Sequence, residues 1–418
     1  MTLKKADNRI IVASTLGSIF EIFDFLSFVF LSAIIAKSFF PENNQFSLIY
    51  TYLTVTISYL LRPIGGIVIG FFGDKYGRKT MFTLSILMMS LPSFFIGILP
   101  TFNQIGYLAP CLIILLRIFQ GFSLGGEVPG SITYIFEKYR NYNYFAYLAW
   151  INFGANFGIF LASEFIHILT NSFSQQFMAT IGFRIPFILG SLLAIVGFYI
   201  RYSISESEVF QNLKSHHKVL KYPIMEVLYN YKTKVILGIL LCLVVSVSTS
   251  VFHLFLPSLL QKYYHLDLSH VTSLSAIGAL TMGVFTLIFA NLTKYIKPLL
   301  IVKVSLGLLI ITYLFFFVHT QLFLQYPLTC ICIISILLAG TNGIFFGILA
   351  NLFAANVRFS GVALCYNASY ILGAAFTPIW SIEILVRLHS YAYFFLIGAI
   401  VAIISLYASI RLSRIFKF

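Results

Sequence analysis

Long apolar runs alternate with short polar clusters along the whole chain. The runs stand near residues 12–36, 47–72, 80–99, 107–136, 144–168, 184–204, 234–260, 271–291, 299–319, 327–351, 361–386 and 391–411. Each can supply the roughly 20 helical residues that cross the hydrocarbon core of a bilayer. The pattern therefore predicts twelve membrane-spanning helices. The most polar segment, about Ser205–Lys232, follows the sixth run and splits the twelve into two sets of six. The expected organisation is a six-helix bundle over 1–204, a cytoplasmic linker over 205–233 and a second bundle over 234–418.

Composition supports this picture and excludes others. The chain is 59% hydrophobic and 10% charged, with a mean hydropathy of +0.94, whereas soluble domains carry about 25% charged residues. The net charge of +14 comes from cations scattered through short loops, which fits an anionic membrane surface and not nucleic acid. With both termini inside, 21 of the 27 Lys and Arg residues face the cytoplasm and 4 face outward, while Arg62 and Arg117 lie within spans. Such a bias sets orientation and predicts an inner-membrane, multi-pass protein with cytoplasmic termini. The five cysteines sit in apolar runs without metal-ligand spacing, so neither a metal nor another cofactor is expected. Met1–Ile10 is short and polar and the first run is too long for a signal peptide, so no cleavable leader is expected. No nucleophile–base set stands at depth, which argues against an enzyme.

One polar cluster carries more information than a connector needs. Gly73-Asp74-Lys75-Tyr76-Gly77-Arg78-Lys79 separates the second and third runs. Its glycines allow a tight turn, and its charges can pair and part as the flanking helices move, so it reads as a cytoplasmic hinge loop. Leu292-Thr293-Lys294-Tyr295-Ile296-Lys297 occupies the same place in the second half, keeping the Lys-Tyr-cation register but neither the Asp nor the glycines. That echo fits a duplicated transporter.

Charge within the membrane is costly and marks function by default. Glu21 and Asp24 lie three apart on the first span and share a face. At helical rise both stand about 18–22 Å deep, level with Arg117 on the fourth span. Asp24 is the first candidate for a proton-coupling group and Glu21 the second, the alternative being a static ion pair with Arg117. Arg62 offers a planar fork to a carboxylate; it either binds substrate or clamps the second span to a carbonyl or to Glu127. Glu127, near the inner end of the fourth span, is expected to pair with Arg62 or loop cations as part of an inner gate. Arg184 is expected to snorkel, His253 and His319 to be buried and hydrogen-bonded, and Glu383 to pair with Arg387. Pro129 is expected to kink the fourth span. Gly154 and Gly158 permit close helix packing. The second half offers only uncharged polar groups at depth, among them Asn342, Tyr366, Asn367 and Tyr370.

The cluster at 73–79, together with Arg117-Ile118-Phe119-Gln120-Gly121-Phe122-Ser123-Leu124-Gly125-Gly126-Glu127, resembles the major facilitator superfamily. Glu21-Ile22-Phe23-Asp24-Phe25, Arg62-Pro63-Ile64-Gly65-Gly66, Gly182-Phe183-Arg184-Ile185-Pro186-Phe187 and Ser360-Gly361-Val362-Ala363-Leu364-Cys365-Tyr366-Asn367 resemble its metabolite:proton symporter branch. That branch imports proline, betaine and organic acids such as 2-oxoglutarate, citrate and shikimate. The resemblance implies an all-α membrane protein of twelve helices in two pseudo-symmetric six-helix bundles, working by alternating access around a midplane site. It implies a monomer importing a small carboxylate or zwitterion with H+, Na+ being the alternative ion. Arg62, Arg117, Gln120, Asn367 and Tyr366 would form a substrate-binding or charge network, and Gly73, Asp74, Gly77, Arg78, Lys79 and Glu127 the gate. The rival readings are an exporter of a siderophore or drug, and a transport-dead sensor of the same fold.

Overall fold

The computed structural model describes residues 8–41, 47–255, 268–375, 377–388 and 390–415. Lys4, Lys5, Lys262, Lys417 and the side chain of His253 lie outside what it describes. Among the described residues, six long helices form the first half: α1 (Arg9–Phe30), α2 (Ser47–Tyr76), α3 (Arg78–Ile98), α4 (Leu108–Tyr139), α5 (Tyr144–Ser172) and α6 (Ile185–Tyr202). The second half holds α7 (Lys232–Ser248), α8 (Leu268–Leu292), α9 (Pro298–Val318), α10 (Pro327–Asn342), α11 (Arg358–Tyr370) and α12 (Ala392–Ile415). Three of these extend beyond a local break. α7 passes into a π-helical stretch, Thr249–Phe255, α10 resumes as Phe345–Leu352, and α11 continues through a π-helical turn, Ile371–Ala375, into Thr377–Leu388. Among the described residues, eleven helices are long and apolar enough to cross a membrane, and α11 with its continuation is the twelfth element.

Each half packs on itself, and the halves meet along two seams, α5 on α8 and α2 on α11. Adding six to α5 and taking six from α8 turns the first seam into the second, which is the mark of a pseudo-twofold relation between the halves. In the first half α2 lies on α4, α1 on α5 and α6, and α3 on α4 and α6. The α2–α4 crossing is a backbone contact. A Cβ on Gly65 would stand 1.8 Å from the Phe122 carbonyl oxygen, and one on Gly125 would stand 1.9 Å from that of Arg62. Gly154 and Gly158 bring α5 onto α1 in the same manner, as their spacing predicts.

The predicted hinge loop is almost entirely helical. α2 runs to Tyr76 and α3 starts at Arg78, leaving Gly77 alone between them at φ +131°. Only glycine adopts that conformation without strain. Helix persists on both sides because Arg78 pairs with Asp74 one turn back at 3.2 Å. The open N–H groups at the start of α3 are met by Glu206, whose carboxylate accepts from the Arg78 and Lys79 amides at 3.1 and 3.2 Å. The linker is correspondingly not a free solvated strap. It forms two short helices, Glu208–Ser215 and Pro223–Asn230, which bury Phe210 and Val227. Pro129 does not interrupt α4. His319 is exposed beside Phe315 and not buried as expected, because it caps the outer end of α9. Arg184 donates to the Gly97 carbonyl at 3.0 Å, and Glu383 pairs with Arg387 as expected.

The α2–α4 contact yields a direct test. Gly125→Val forces a side chain into the Arg62 carbonyl and should destabilise the protein by at least about 2 kcal/mol. Thermal unfolding of the detergent-solubilised protein reads this. An unchanged midpoint would mean that the helices do not touch.

Candidate functional site

Charge is stacked in tiers along α4. In the outermost tier, Asp24 lies 3.5 Å from Arg117. It accepts from Ser93 Oγ at 2.6 Å and from Gln120 Nε2 at 3.0 Å, while the Arg117 guanidinium lies 3.6 Å from the centre of the Phe28 ring. In the next tier Glu21 Oε1 meets Arg62 Nη2 at 3.3 Å. Below it Arg201 grips Glu127 with both terminal nitrogens, one of them at 2.7 Å, and Ser85 Oγ donates to the same carboxylate. These six charged side chains are all buried, and each carboxylate has a guanidinium against it. Burying a lone charge is prohibitive, so this pairing is a condition for the helices to assemble at all.

The innermost tier bridges the halves. Asp74, in the last turn of α2, accepts from the Ser360 and Phe359 amides at 2.9 and 3.3 Å. Those amides open α11, where the helix dipole favours an anion. Arg78 pairs with Glu137 at 3.4 Å and donates to the Ala355 carbonyl, and Glu137 also pairs with Arg358 at 2.8 Å. Gly73 lets Phe359 come close: a Cβ there would stand 2.2 Å from its ring. Ser207 of the linker donates to Glu137, and the Lys79 amine lies over the Tyr202 ring at 5.6 Å. At the equivalent place in the second half the echo segment makes a neutral contact, Thr293 Oγ1 to Asn143 Oδ1 at 2.9 Å. The cytoplasmic ends of the halves are thus joined at both pseudo-symmetric positions.

Between the halves lies a cavity of about 70 Å³. Its polar wall includes Glu21 and Arg62, Tyr59, Asn152 and Asn156 of α5, Thr249 and Ser250 of the π-helical stretch, Asn342, and Tyr366 and Tyr370. The rings of Tyr59, Tyr366 and Tyr370 surround the Arg62 guanidinium at 5.9, 5.6 and 5.1 Å. The Glu21–Arg62 contact is single, and Glu21 Oε2 and Arg62 Nε have no hydrogen-bond partner among the described residues.

Several sequence expectations are redistributed by this geometry. Asp24 does not line the cavity; with Arg117 and Gln120 it is enclosed between α1, α3 and α4. The partner of Arg62 is Glu21 and that of Glu127 is Arg201, so the expected Arg62–Glu127 pair does not form. The cause is the α2–α4 backbone contact, which leaves no room for a side chain between those helices and sends Arg62 sideways toward α1. Glu127 contacts α3 and α6 inside the first half and takes no part in the bridge to the second half. Asn367 also lies away from the cavity, donating to the Gly125 carbonyl at 2.8 Å across the α11–α4 contact, whereas Tyr366 lines it. Sequence reasoning missed Arg201, Glu137, Arg358 and Glu206. Depth could have found Arg201: the inner end of the sixth span is level with Glu127, which had to have a cation beside it.

The Arg201–Glu127 tier is testable through its energetics. Arg201→Met strands a buried carboxylate and should cost about 3–5 kcal/mol, most of it recovered by adding Glu127→Gln. Unfolding of the single and double variants in detergent measures this. A double variant no more stable than Arg201→Met would refute the pairing.

Residues 15–366 match the Major Facilitator Superfamily. The chain is 31% identical over 404 residues to a Staphylococcus haemolyticus protein named "Putative proline/betaine transporter", spanning 92% of this chain and 84% of that one. It is 26% identical over 420 residues to the proline/betaine transporter of Escherichia coli, spanning 95% and 82%. The fold is similar to that of a proton:xylose symporter bound to 6-bromo-6-deoxy-D-glucose, with a TM-score of 0.77 at 15% identity over 96% of this chain and 94% of that one. It is also similar to a bacterial homologue of the iron transporter ferroportin in an outward-facing state, with a TM-score of 0.66 at 13% identity over 97% and 99%. With its family match running through most of the length and its twelve helices in two related halves, the chain belongs to the Major Facilitator Superfamily and is a multi-pass inner-membrane transporter, not an enzyme.

Proposed function

We propose that this transporter belongs to the metabolite:proton symporter branch and imports a small zwitterion together with a proton, coupled at the Glu21–Arg62 pair. The observation that carries the reading is the incompleteness of that pair. It makes one contact at 3.3 Å, leaves a carboxylate oxygen and a guanidinium nitrogen over, and lines a cavity walled by both halves. Asp24 is saturated by Ser93, Gln120 and Arg117 and stands apart from the cavity, so the first role passes from Asp24 to Glu21.

In this cycle a proton taken by Glu21 releases Arg62, which then presents its planar fork to the carboxylate of the solute. The incoming carboxylate keeps the buried guanidinium neutralised. The cationic nitrogen of the solute has the faces of Tyr59, Tyr366 and Tyr370 available, and tyrosine rings attract cations. Relatives named for proline and betaine, both zwitterions, support that class over a plain organic acid. The units that rock are residues 1–204 and 234–418 of a monomer, tied by 205–233. The Asp74, Arg78, Glu137 and Arg358 network, with Gly73, Gly77 and Lys79 beside it, parts when the cavity opens inward.

Two measurements in proteoliposomes test this. Glu21→Gln should abolish the stimulation of labelled proline uptake by an inside-alkaline gradient while leaving solute exchange at equilibrium intact, and Asp24→Asn should retain the stimulation. Gradient-driven accumulation by Glu21→Gln would end the assignment. Second, one proton moving with a zwitterion carries one positive charge inward. An inside-negative potential imposed at equal pH should therefore accelerate uptake, whereas a monoanion carried with one proton would be indifferent to it.

A further inference from the structure

A second cavity lies apart from the one between the halves. It is an open cleft of about 490 Å³ at the cytoplasmic end of α2, walled by Lys75 and Tyr76 of that helix and by Phe210, Lys214, His217 and Lys221 of the linker. Sites for small ligands run from roughly 300 to 1,000 Å³. Three lysines line this one and, among the described residues, no carboxylate does. None of the three has an ion-pair partner among the described residues, and Glu206 of the same linker is engaged with the amides of α3. The linker turns at His217, which stands in the left-handed region at φ +53°. Glycine is the usual residue at such a turn but would put no side chain into the cleft.

The position of the cleft relative to the bilayer follows from α2. Its 30 residues make about 45 Å of helix, which matches the roughly 40–45 Å of a bilayer with its headgroup layers. The last turn therefore stands among the inner headgroups. Leu60, Ile64, Phe72 and Tyr76, spaced by multiples of four, form an exposed apolar ridge down the helix, and Tyr76 both ends that ridge and walls the cleft. The Lys75 amine lies 5.3 Å from the Phe71 and Tyr76 rings, so its stem covers apolar surface while its charge reaches the cleft. The second linker helix has the same character. Val227 is buried, whereas Tyr222, Met225 and Tyr229 are exposed at helical spacing, with Lys221 and Lys232 over the two tyrosine rings at 5.3 and 5.9 Å. An exposed apolar stripe bordered by lysines suits the membrane interface.

We infer that the cleft is a binding site for an anionic phospholipid of the inner leaflet, its phosphate held by Lys75, Lys214 and Lys221 and an acyl chain laid along the α2 ridge. Charge complementarity selects the headgroup: three cations without a partner face a leaflet of anionic lipids. The ridge selects a lipid over a soluble anion, because it carries apolar surface from the hydrocarbon to the cleft wall. The bound phosphate joins α2 to the linker beside Phe210, whose ring lies 4.7 Å from the Arg78 guanidinium. The lipid thus holds the linker against the charged network that closes the cytoplasmic end. Nothing in this inference depends on which solute is carried.

The test follows the thermal midpoint of the full chain in detergent as dioleoylphosphatidylglycerol is titrated into the micelles. A ligand of the folded state raises the midpoint in proportion to its occupancy, so a saturable rise is expected, with none from dioleoylphosphatidylcholine. The variant carrying Lys75→Gln, Lys214→Gln and Lys221→Gln should need at least about tenfold more lipid for half the effect. A second variant carrying Lys294→Gln, Lys297→Gln and Arg414→Gln removes the same charge from exposed positions at the cytoplasmic ends of α8, α9 and α12 and should stay within about twofold of the native protein. Equal weakening in the two variants would show diffuse attraction to a basic face and overturn the inference. So would the same rise with glycerol 3-phosphate at equal phosphate concentration, which would make the occupant a soluble anion. Absence of any saturable rise with the native protein would remove the site, whatever the variants do.

Discussion

A carboxylate or guanidinium inside a bilayer has to be neutralised within a few ångströms, and the first half of this protein is organised around that demand. Three acid–arginine pairs and one four-membered network descend along α4, with no lone buried charge among them. The second half meets the same bilayer with almost none. Its polar cavity-lining residues are asparagine, threonine, serine and tyrosine, and its equivalent of the charged cytoplasmic contact is a threonine–asparagine hydrogen bond. Two halves of one architecture therefore do different work. One carries paired buried charges and the other turns uncharged polar side chains toward the cavity.

Among the tiers, the carboxylates differ in how many partners they have. Asp24 and Glu127 each have three side-chain partners or a two-pronged grip, and both are closed inside the first bundle. Glu21 has one partner and a cavity beside it. This difference traces to packing. Gly65, Gly121 and Gly125 press α2 onto α4 until backbone meets backbone, so the Arg62 side chain has one way out, toward α1 and the space between the halves. The same rigidity places Asp74 at the foot of α2 against the first amides of α11. Arg62 beside the cavity and Asp74 at the cytoplasmic end stand on one helix, α2.

Much of this was legible from residue order. Apolar run length gave twelve spans, loop cations gave their orientation, and the separated motifs gave the superfamily. The intramembrane residues Glu21, Asp24, Arg62 and Arg117 could be picked out because charge in an apolar run is conspicuous. Their partners could not, because pairing depends on which way each helix is turned and on how closely its neighbours approach. Arg201 and Arg358 look like ordinary loop cations in sequence but are buried partners of Glu127 and Glu137. The polar cluster at 73–79 looks like a loop because its charges are dense, yet Asp74 and Arg78 pair with each other and Glu206 accepts from the backbone amides of Arg78 and Lys79, so helix breaks at Gly77 alone. Depth puts Glu21 and Asp24 level, and it does not distinguish a carboxylate with three partners from one with a free oxygen.

The most direct measurement is proton movement driven by solute alone. A pH-sensitive dye trapped in proteoliposomes, with no imposed gradient, records whether solute flowing inward brings protons with it. Internal acidification on adding proline is expected for the native protein and for Asp24→Asn. Glu21→Gln should admit the labelled solute without acidification. Acidification of equal size with Glu21→Gln, at equal solute entry, would show that the proton travels by another group and would contradict the role given to the Glu21–Arg62 pair.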